Sequence, residues 1–212
     1  MRFAGIIGNN ATESTNRTLM HFIANHFQDR AEITCHEIRP LPAFKATGDR
    51  PAKGTGDQGE NQSVPVEVQE IINTIEASDG VIIATPEYNH TIPAPLKSLL
   101  EWLSWSSESM RGKPVMIVGA SYGRLGTSRA QDHLRQILTS PWLRARVLPA
   151  EFLLSNSLSA FDESGALVSQ ADVEALEATF AEFEAFADII GSINERTATT
   201  PATEHTAAEG AK

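Results

Sequence analysis

The stretch that decides the fold is residues 80–105, GVIIATPEYNHTIPAPLKSLLEWLSW. It opens with a continuous run of small and β-branched residues, Gly80 to Ala84, which predicts a strand buried on both faces of a sheet. Apolar residues then recur at helical spacing from Pro95 to Trp105 and predict a helix. A polar loop with two prolines joins the two elements. This strand–loop–helix order is typical of α/β proteins.

The same alternation extends in both directions from this unit. Further strands are predicted at Arg2–Ile7, Glu32–Ile38, Pro114–Gly119 and Arg146–Leu153. Further helices are predicted at Thr15–Phe27, Val66–Ile75 and Thr127–Leu138, and a last helix opens with a capping box at Ser169–Asp172. Each crossover helix must bury its apolar stripe against the sheet. Five strands in this order therefore predict one doubly wound parallel sheet with helices on both faces.

Two segments are predicted to lie outside this framework. Residues 39–64 are rich in proline, glycine and polar residues and predict a long surface loop, mobile around residues 47–63. Residues 196–212 show no apolar periodicity and predict a disordered tail. The domain is therefore predicted to span residues 1–195.

The charge balance limits the partners. The 212 residues carry 17 Lys and Arg against 27 Asp and Glu, a net charge of −10. This argues against a nucleic-acid partner, because phosphate binding needs clustered cations. Residues 151–195 hold ten carboxylates and no Lys or Arg. They predict either a solvated helix face or a docking surface for a basic partner.

Cysteine and histidine usage gives no sign of a metal site. The single cysteine, Cys35, cannot form an internal disulfide, and no His or Cys pair has zinc-ligand spacing. The chain has no run of about 18 apolar residues, and its apolar N-terminus is too short for a secretory signal. We therefore expect a cytoplasmic protein with no membrane association and no bound metal.

Ligands of doubly wound sheets bind beyond the carboxyl ends of the strands, so the loops there are the candidates. Residues 8–17, GNNATESTNR, combine hydroxyls and carboxamides with the start of a helix, which favours a phosphate. The alternative is that Ser14 or Thr15 only caps the helix. Neither G-x-G-x-x-G in this loop nor G-x-x-x-x-G-K-[ST] anywhere is present, so a phosphate site would be of another kind.

Two further loops reach the same edge of the predicted sheet. Pro86 and Pro93 restrict a loop that could present amides to a flat ligand or serve as an ordinary turn. Glycines at 119, 123 and 126 would let the backbone approach a ligand closely, and they would also suit a turn. Three such loops at one edge favour a ligand site.

These loops resemble those of the NAD(P)H-dependent FMN reductases, a flavodoxin-like family that includes quinone and azo-compound reductases. The resemblance covers residues 2–190 and implies a five-stranded sheet of order 2-1-3-4-5 with helices on both faces. It is carried by TPEYN at 85–89, IP at 92–93, LKS at 96–98, EWLS at 101–104, GAS at 119–121, Gly123, LG at 125–126, RAQ at 129–131 and HLR at 133–135.

The resemblance implies an FMN-dependent oxidoreductase that transfers hydride in a ping-pong reaction from NADPH or NADH to a flat acceptor, such as a quinone, azo compound or free flavin. It also implies a homodimer or homotetramer. The flavin performs the transfer, so no catalytic side chain is expected. The implied cofactor-binding residues are Asn9, Thr12, Ser14, Thr15 and Asn16 at the phosphate; Pro86, Glu87, Tyr88 and Asn89 along the ring; and Ser121, Tyr122, Gly123 and Gly126 at its pyrimidine side.

The first loop departs from the Gly-Ser-x-Arg start that many family members have. Gly8-Asn9-Asn10-Ala11 offers neither that serine nor that arginine. Neutral donors and the helix end would have to hold the phosphate, and Glu13 would have to point away from it. FMN affinity is therefore the property that this departure affects.

Four side chains near the site have further predicted roles. Arg124, alone or with Arg129, is predicted to contact the phosphates of the nicotinamide cofactor, because guanidinium groups match phosphate oxygens. His90 is predicted to bind substrate or to cap its loop. Glu87 is predicted to hold its loop, with proton delivery as the alternative.

Two other functions compete with the reductase. The first is an FMN-binding electron-transfer module or subunit that docks on a partner protein and has no NAD(P)H turnover of its own. The second is a phospho-accepting receiver domain, which needs an acidic cluster after the first strand; Asn9 and Asn10 do not supply one.

Overall fold

The structure, a computed structural model, describes residues 1–39, 41–46 and 64–199. Its strands are β1 (Arg2–Ile7), β2 (Glu32–Glu37), β3 (Gly80–Ala84), β4 (Pro114–Ala120), β5 (Arg146–Val147) and β6 (Phe152–Leu154). Its α-helices are α1 (Thr15–His26), α2 (Val66–Ala77), α3 (Ala94–Ser106), α4 (Ser128–Leu138) and α5 (Gln170–Thr199). The elements follow one another in the predicted alternation.

All strand pairs are parallel, and the sheet runs in the order β2-β1-β3-β4-β5, with β6 also paired to β4. The doubly wound sheet of order 2-1-3-4-5 is therefore confirmed. The chain leaves β1 towards β2 on one side and later adds β3 on the other. The loops after β1 and β3 diverge at this reversal, which is where such sheets form a ligand crevice.

The fifth strand differs from its prediction because it is interrupted. The sequence predicts one strand over Arg146–Leu153, whereas β5 and β6 flank a four-residue break and both pair with β4. Pro149 has no N–H to donate to a neighbouring strand. The guanidinium of Arg135 donates to the carbonyl oxygens of Leu148 and Ala150, which stabilises the break.

Two apolar layers cover the sheet. Along β1, Phe3 and Ile7 point to one face, while Ala4 and Ile6 point to the other. Helices α1 and α5 pack on the first face, where the rings of Phe27 and Phe180 stack at 3.8 Å. Helices α2, α3 and α4 pack on the second face. Burial on both faces explains why the strands are continuous apolar runs.

The beginning of the 39–64 loop is held against α3. The N–H of Phe44 donates to Ser98 Oγ at 2.6 Å, and the ring of Phe44 meets Trp102 edge-on at 5.1 Å. The indole N–H of Trp102 donates to the carbonyl of Pro42 at 3.0 Å. The segment predicted to be mobile, residues 47–63, lies outside the described residues.

The last helix begins as predicted and ends later. Ser169 Oγ accepts a hydrogen bond from the N–H of Asp172 at 3.3 Å, as in a capping box. Helix α5 continues to Thr199, so residues 196–199, which the sequence placed in the tail, are helical. Residues 200–212 lie outside the described residues. No helix in the described part of the chain is long and apolar enough to cross a membrane.

Candidate flavin and nicotinamide site

The loops after β1, β3 and β4 enclose a cavity of about 380 Å³ at the carboxyl edge of the sheet. This volume lies within the range of small-molecule pockets. The lining residues are Asn9, Glu13, Ser14, Thr15, Asn16, Pro86, Glu87, Tyr88, Ala120, Ser121, Tyr122, Gly123, Arg124, Leu125, Thr127 and Arg129. The three loops singled out from the sequence therefore meet at one site.

The loop after β1, residues 8–16 and here called the phosphate loop, ends at the start of α1. Ser14 is the N-cap: its Oγ accepts from the N–H of Arg17 at 3.2 Å and from Asn9 Nδ2 at 2.7 Å. The described residues offer no acceptor to the N–H groups of Thr15 and Asn16. Ser14 thus caps the helix, and free N–H donors remain at its positive end.

Asn16 braces the site through its side chain. Its Nδ2 donates to the carbonyl of Ala120 at 2.8 Å, and its Oδ1 accepts from the N–H of Ala120 at 2.9 Å. The side chain is buried between the start of α1 and the end of β4. Asn16 therefore joins the phosphate loop to the loop after β4, a role that the sequence analysis did not assign to it.

Glu87 joins the other two loops. Its carboxylate accepts from the backbone N–H groups of Arg129 and Ala130 at 3.1 and 3.4 Å and pairs with the Arg129 side chain at 2.6 Å. Thr127, the N-cap of α4, makes no side-chain capping bond, so Glu87 supplies the cap from a different loop. These contacts suit a loop-holding residue better than a proton donor. They also occupy Arg129, which was a candidate for nucleotide binding.

Four predicted site residues do not line the cavity. Asn89 and His90 are exposed at the tip of a two-residue turn closed by hydrogen bonds of 2.9 and 3.1 Å between Tyr88 and Thr91. Their positive φ angles, 50° and 67°, are those of a type I′ turn. The carbonyl oxygen of Thr12 accepts a hydrogen bond from Arg17 Nη1, which lies outside the cavity lining. Gly126 has φ 56°, and a Cβ there would lie 2.6 Å from the backbone of Leu153.

The loop after β4 forms the open side of the cavity. Tyr122 and Arg124 are exposed, and a Cβ at Gly123 would meet nothing within 4 Å. The guanidinium of Arg124 has no hydrogen-bond or ion-pair partner in the described part of the chain. It is therefore available to an anionic ligand. Leu125 and Thr127, which the sequence analysis missed, also line this side.

Glu13 lines the cavity although a carboxylate there opposes a phosphate. Glu13 is exposed, so solvent screens its charge. The sequence led to the expectation that Glu13 points away from a phosphate, whereas Glu13 lines the cavity and residues 8–16 contain no Lys or Arg to offset its charge. Within the described residues, no group of three His, Cys, Asp or Glu could hold a metal ion.

The cavity fits a flat molecule with a phosphate tail. The free N–H groups at the start of α1 suit an anion. Buried Asn9 has an Oδ1 atom with no partner, and the open space above Gly123 leaves backbone accessible to a ring. The free N–H donors at α1 and the open space at the loop after β4 are compatible with the phosphate and the ring of FMN.

The profile of the family described as NADPH-dependent FMN reductase matches residues 1–159 of this chain. The chain belongs to this family. As a member of the FMN reductases it is an NAD(P)H-dependent oxidoreductase that uses FMN and takes electrons from NADH or NADPH.

Two relatives match about nine-tenths of the chain. The NADH:(hydroxy)cinnamate reductase subunit CrdA of Vibrio ruber is 49% identical over 199 residues, 93% of each chain. The NADH-dependent flavin reductase subunit 2 of Lactobacillus johnsonii is 39% identical over 194 residues, 89% of this chain and 98% of the relative. The fold matches FerB, an NAD(P)H:(acceptor) oxidoreductase of Paracoccus denitrificans, with a TM-score of 0.67, 24% identity and coverage of 90% and 97%.

An ion pair supports the phosphate loop from behind. Arg17 pairs with Glu37 at the end of β2, with Nη2 and Oε2 2.9 Å apart. The hydrogen bond from Arg17 lowers the pKa of Glu37 below its usual range, and the pKa of Arg17 is raised. A lowered carboxyl pKa stabilises the fold above the pKa of the unfolded chain, and this contribution is lost as the pH falls through the folded pKa.

We therefore expect the stability difference between the wild type and Glu37→Gln to depend on pH. The wild type should have the higher Tm near neutral pH, and the difference should shrink as the pH falls below about 4.3, the usual pKa of glutamate. Thermal unfolding followed by circular dichroism measures this. Glu32→Gln is the control, since Glu32 is exposed on the same strand and has no ion pair among the described residues. A Tm difference for Glu37→Gln that stays constant across this range contradicts the assignment.

Proposed function

We propose that the protein reduces small flat acceptors, such as quinones, azo compounds and free flavins, with NADH or NADPH in a ping-pong reaction. The observation that carries this proposal is the rim of the cavity. Tyr88 and Tyr122 line it and are 46% and 61% exposed, beside the unpartnered guanidinium of Arg124. Aromatic rings and a free cation at one opening suit a flat nicotinamide with phosphates and, after it leaves, a flat acceptor.

The chain contributes binding and orientation. Bound FMN supplies the hydride chemistry. The free N–H groups of Thr15 and Asn16 bind the phosphate end, and the backbone of the loop after β4 lies beside the open part of the cavity. Glu87 is already occupied by Arg129 and by two backbone N–H groups, so it keeps the loops in place. No acid or base side chain is needed at the reacting atoms.

The names of the relatives support this proposal. The Lactobacillus johnsonii protein is named a flavin reductase subunit, which supports free flavin as one acceptor. The Vibrio ruber protein is named for aromatic (hydroxy)cinnamates, which are also flat conjugated molecules. Both are named for NADH. The acceptor class of this chain is therefore proposed from the shape of its rim and from these names together.

Steady-state kinetics test the reaction order. Initial rates are measured at several fixed concentrations of a quinone while NADH is varied. Because donor and acceptor use the same opening in turn, double-reciprocal plots should be parallel. Intersecting lines would show that both bind together and would overturn the ping-pong proposal.

We expect Arg124→Ala to raise the KM for NADPH by about tenfold. The KM for NADH should rise to a smaller extent. A charge-assisted hydrogen bond contributes about 1.5–3 kcal/mol, and about 1.4 kcal/mol corresponds to tenfold. The smaller effect on NADH follows from its lower phosphate charge. Arg146→Ala is the control, since Arg146 is exposed on β5, outside the cavity lining. Unchanged KM values for both nucleotides would remove Arg124 from the nucleotide site.

A second candidate is an FMN-binding subunit that passes electrons to a partner protein. The supporting observation is that the Vibrio ruber and Lactobacillus johnsonii relatives are both named as subunits. The carboxylates of residues 151–195 offer a surface for a basic partner. The purified protein is given NADH and a quinone without other proteins. Turnover of at least about 1 s⁻¹ supports the reductase, and turnover that requires an added partner supports the subunit.

The assembly and the location of the protein are part of this proposal. We propose a homodimer or homotetramer, supported by the exposed apolar side chains of Tyr88, Tyr122 and Leu125 at the cavity mouth. Light scattering of the purified protein measures its mass, and a monomer at micromolar concentration would overturn this part. A cytoplasmic location is proposed from the single cysteine.

A further inference from the structure

Arg17 lies behind the phosphate loop, outside the lining of the cavity. Its Nη1 donates to the carbonyl oxygen of Thr12 at 2.9 Å, and its Nη2 donates to that of Ala11 at 3.0 Å. The same guanidinium pairs with both oxygens of Glu37 at the end of β2. Arg17 therefore ties two successive carbonyl groups of the loop to the edge of the sheet.

These contacts set the direction of two N–H groups. The described residues contain no cis peptide bond, and in a trans peptide the carbonyl oxygen and the following N–H point in opposite directions. The carbonyls of Ala11 and Thr12 point towards the guanidinium. The N–H groups of Thr12 and Glu13 therefore point to the opposite side of the loop, and none of the described residues accepts from them.

The charges around the loop indicate what these donors do. Residues 8–16 contain no Lys or Arg, and the charge of Arg17 is offset by Glu37. A phosphate at the start of α1 has to be held by backbone donors, and successive N–H groups that converge on one side form an anion-binding concavity. The carbonyls of this loop would repel a phosphate if they turned towards it.

We propose that Arg17 is a positioning residue for the FMN phosphate. It holds the peptide units 11–12 and 12–13 with their carbonyls turned away, so that the N–H groups of Thr12 and Glu13 donate to the phosphate together with those at the start of α1. The proposal rests on FMN being the cofactor. Arg17 thus acts through the backbone of the phosphate loop, because residues 8–16 contain no arginine that could contact the phosphate directly.

The test compares FMN with riboflavin, which has the same ring and no phosphate. Dissociation constants of both are measured by quenching of flavin fluorescence on titration into the full-length apoprotein. For Arg17→Met the dissociation constant of FMN should rise at least about tenfold, while that of riboflavin should change by less than about twofold. Riboflavin binding also reports that the variant is folded and retains its ring site.

Two further variants separate geometry from charge and from general stability. Arg17→Lys keeps the positive charge and loses the planar fork, so it should bind FMN no better than Arg17→Met. Arg135→Met is the matched control. Arg135 also donates to two backbone carbonyls, those of Leu148 and Ala150, but at the break between β5 and β6. This variant should leave the ratio of the FMN and riboflavin constants unchanged.

Three results would overturn the proposal: unchanged FMN binding in Arg17→Met, equal weakening of FMN and riboflavin, or recovery of FMN binding in Arg17→Lys. If the wild-type apoprotein bound neither flavin, that result would contradict the proposal that FMN is the cofactor. It would differ from the three results above, which concern Arg17.

Discussion

Gly119→Ala is expected to destabilise the protein by about 3 kcal/mol and to lower its Tm by about 10 °C. A Cβ at this position would lie 1.8 Å from Thr127 Oγ1 and 2.8 Å from the carbonyl oxygen of Thr85. Thr127 is buried, and its Oγ1 accepts from Gln131 Nε2, so it can move only by breaking that bond. The clash would also push apart the loops after β3 and β4, and FMN affinity should fall with stability.

Gly191→Ala is the matched control for this substitution. Gly191 lies inside α5, and a Cβ there would meet nothing within 4 Å. Alanine inside a helix is favoured over glycine by about 0.5–1 kcal/mol, so this variant should be as stable as the wild type or more stable. Thermal unfolding measures both variants. A Gly119→Ala protein that melts at the wild-type temperature would show that the two loops are not packed as described.

Asn16→Ala is expected to cost about 2–4 kcal/mol and to weaken FMN binding at least about tenfold. The substitution removes both hydrogen bonds to Ala120 and leaves its buried N–H and carbonyl without partners. It also frees the start of α1 from the end of β4, so the donors around the cavity lose their fixed spacing. Denaturant unfolding and a fluorescence titration with FMN measure the two effects.

Asn25→Ala separates these effects from a general change in α1. Asn25 is exposed on the same helix, and its side chain makes no hydrogen bond within the described residues. Its loss should change stability by less than about 0.5 kcal/mol and leave FMN binding as it is. If Asn16→Ala bound FMN as tightly as Asn25→Ala does, the hydrogen bonds between Asn16 and Ala120 would have no part in the cofactor site.

The strands and helices were predictable because their signals are local. Val81, Ile82 and Ile83 form a continuous apolar run, and the structure buries all three in β3. Proline at 149 was a visible reason to divide the fifth strand, and the prediction did not use it. The strand order came from the family resemblance, since the periodicity of single segments does not report which strands pair.

The contacts that build the site were not predictable from local patterns. Asn16 and Ala120 are separated by 104 residues, and Glu87 and Arg129 by 42. Such pairs depend on the register of the folded sheet, so no spacing in the sequence predicts them. The same limit explains Thr12 and Gly126, whose residue types suited a ligand loop. The carbonyl oxygen of Thr12 accepts from Arg17, and Gly126 packs on Leu153.

The central claim is that the loops after β1, β3 and β4 hold FMN where NAD(P)H can reach it. An anaerobic titration of the FMN-loaded protein with NADH, and then with NADPH, tests this most directly through the visible absorbance of the flavin. We predict that the absorbance falls in proportion to the added nucleotide, reaching completion near one equivalent with no other protein present. Absorbance that stays unchanged with both nucleotides, or protein that does not retain FMN, would contradict the account.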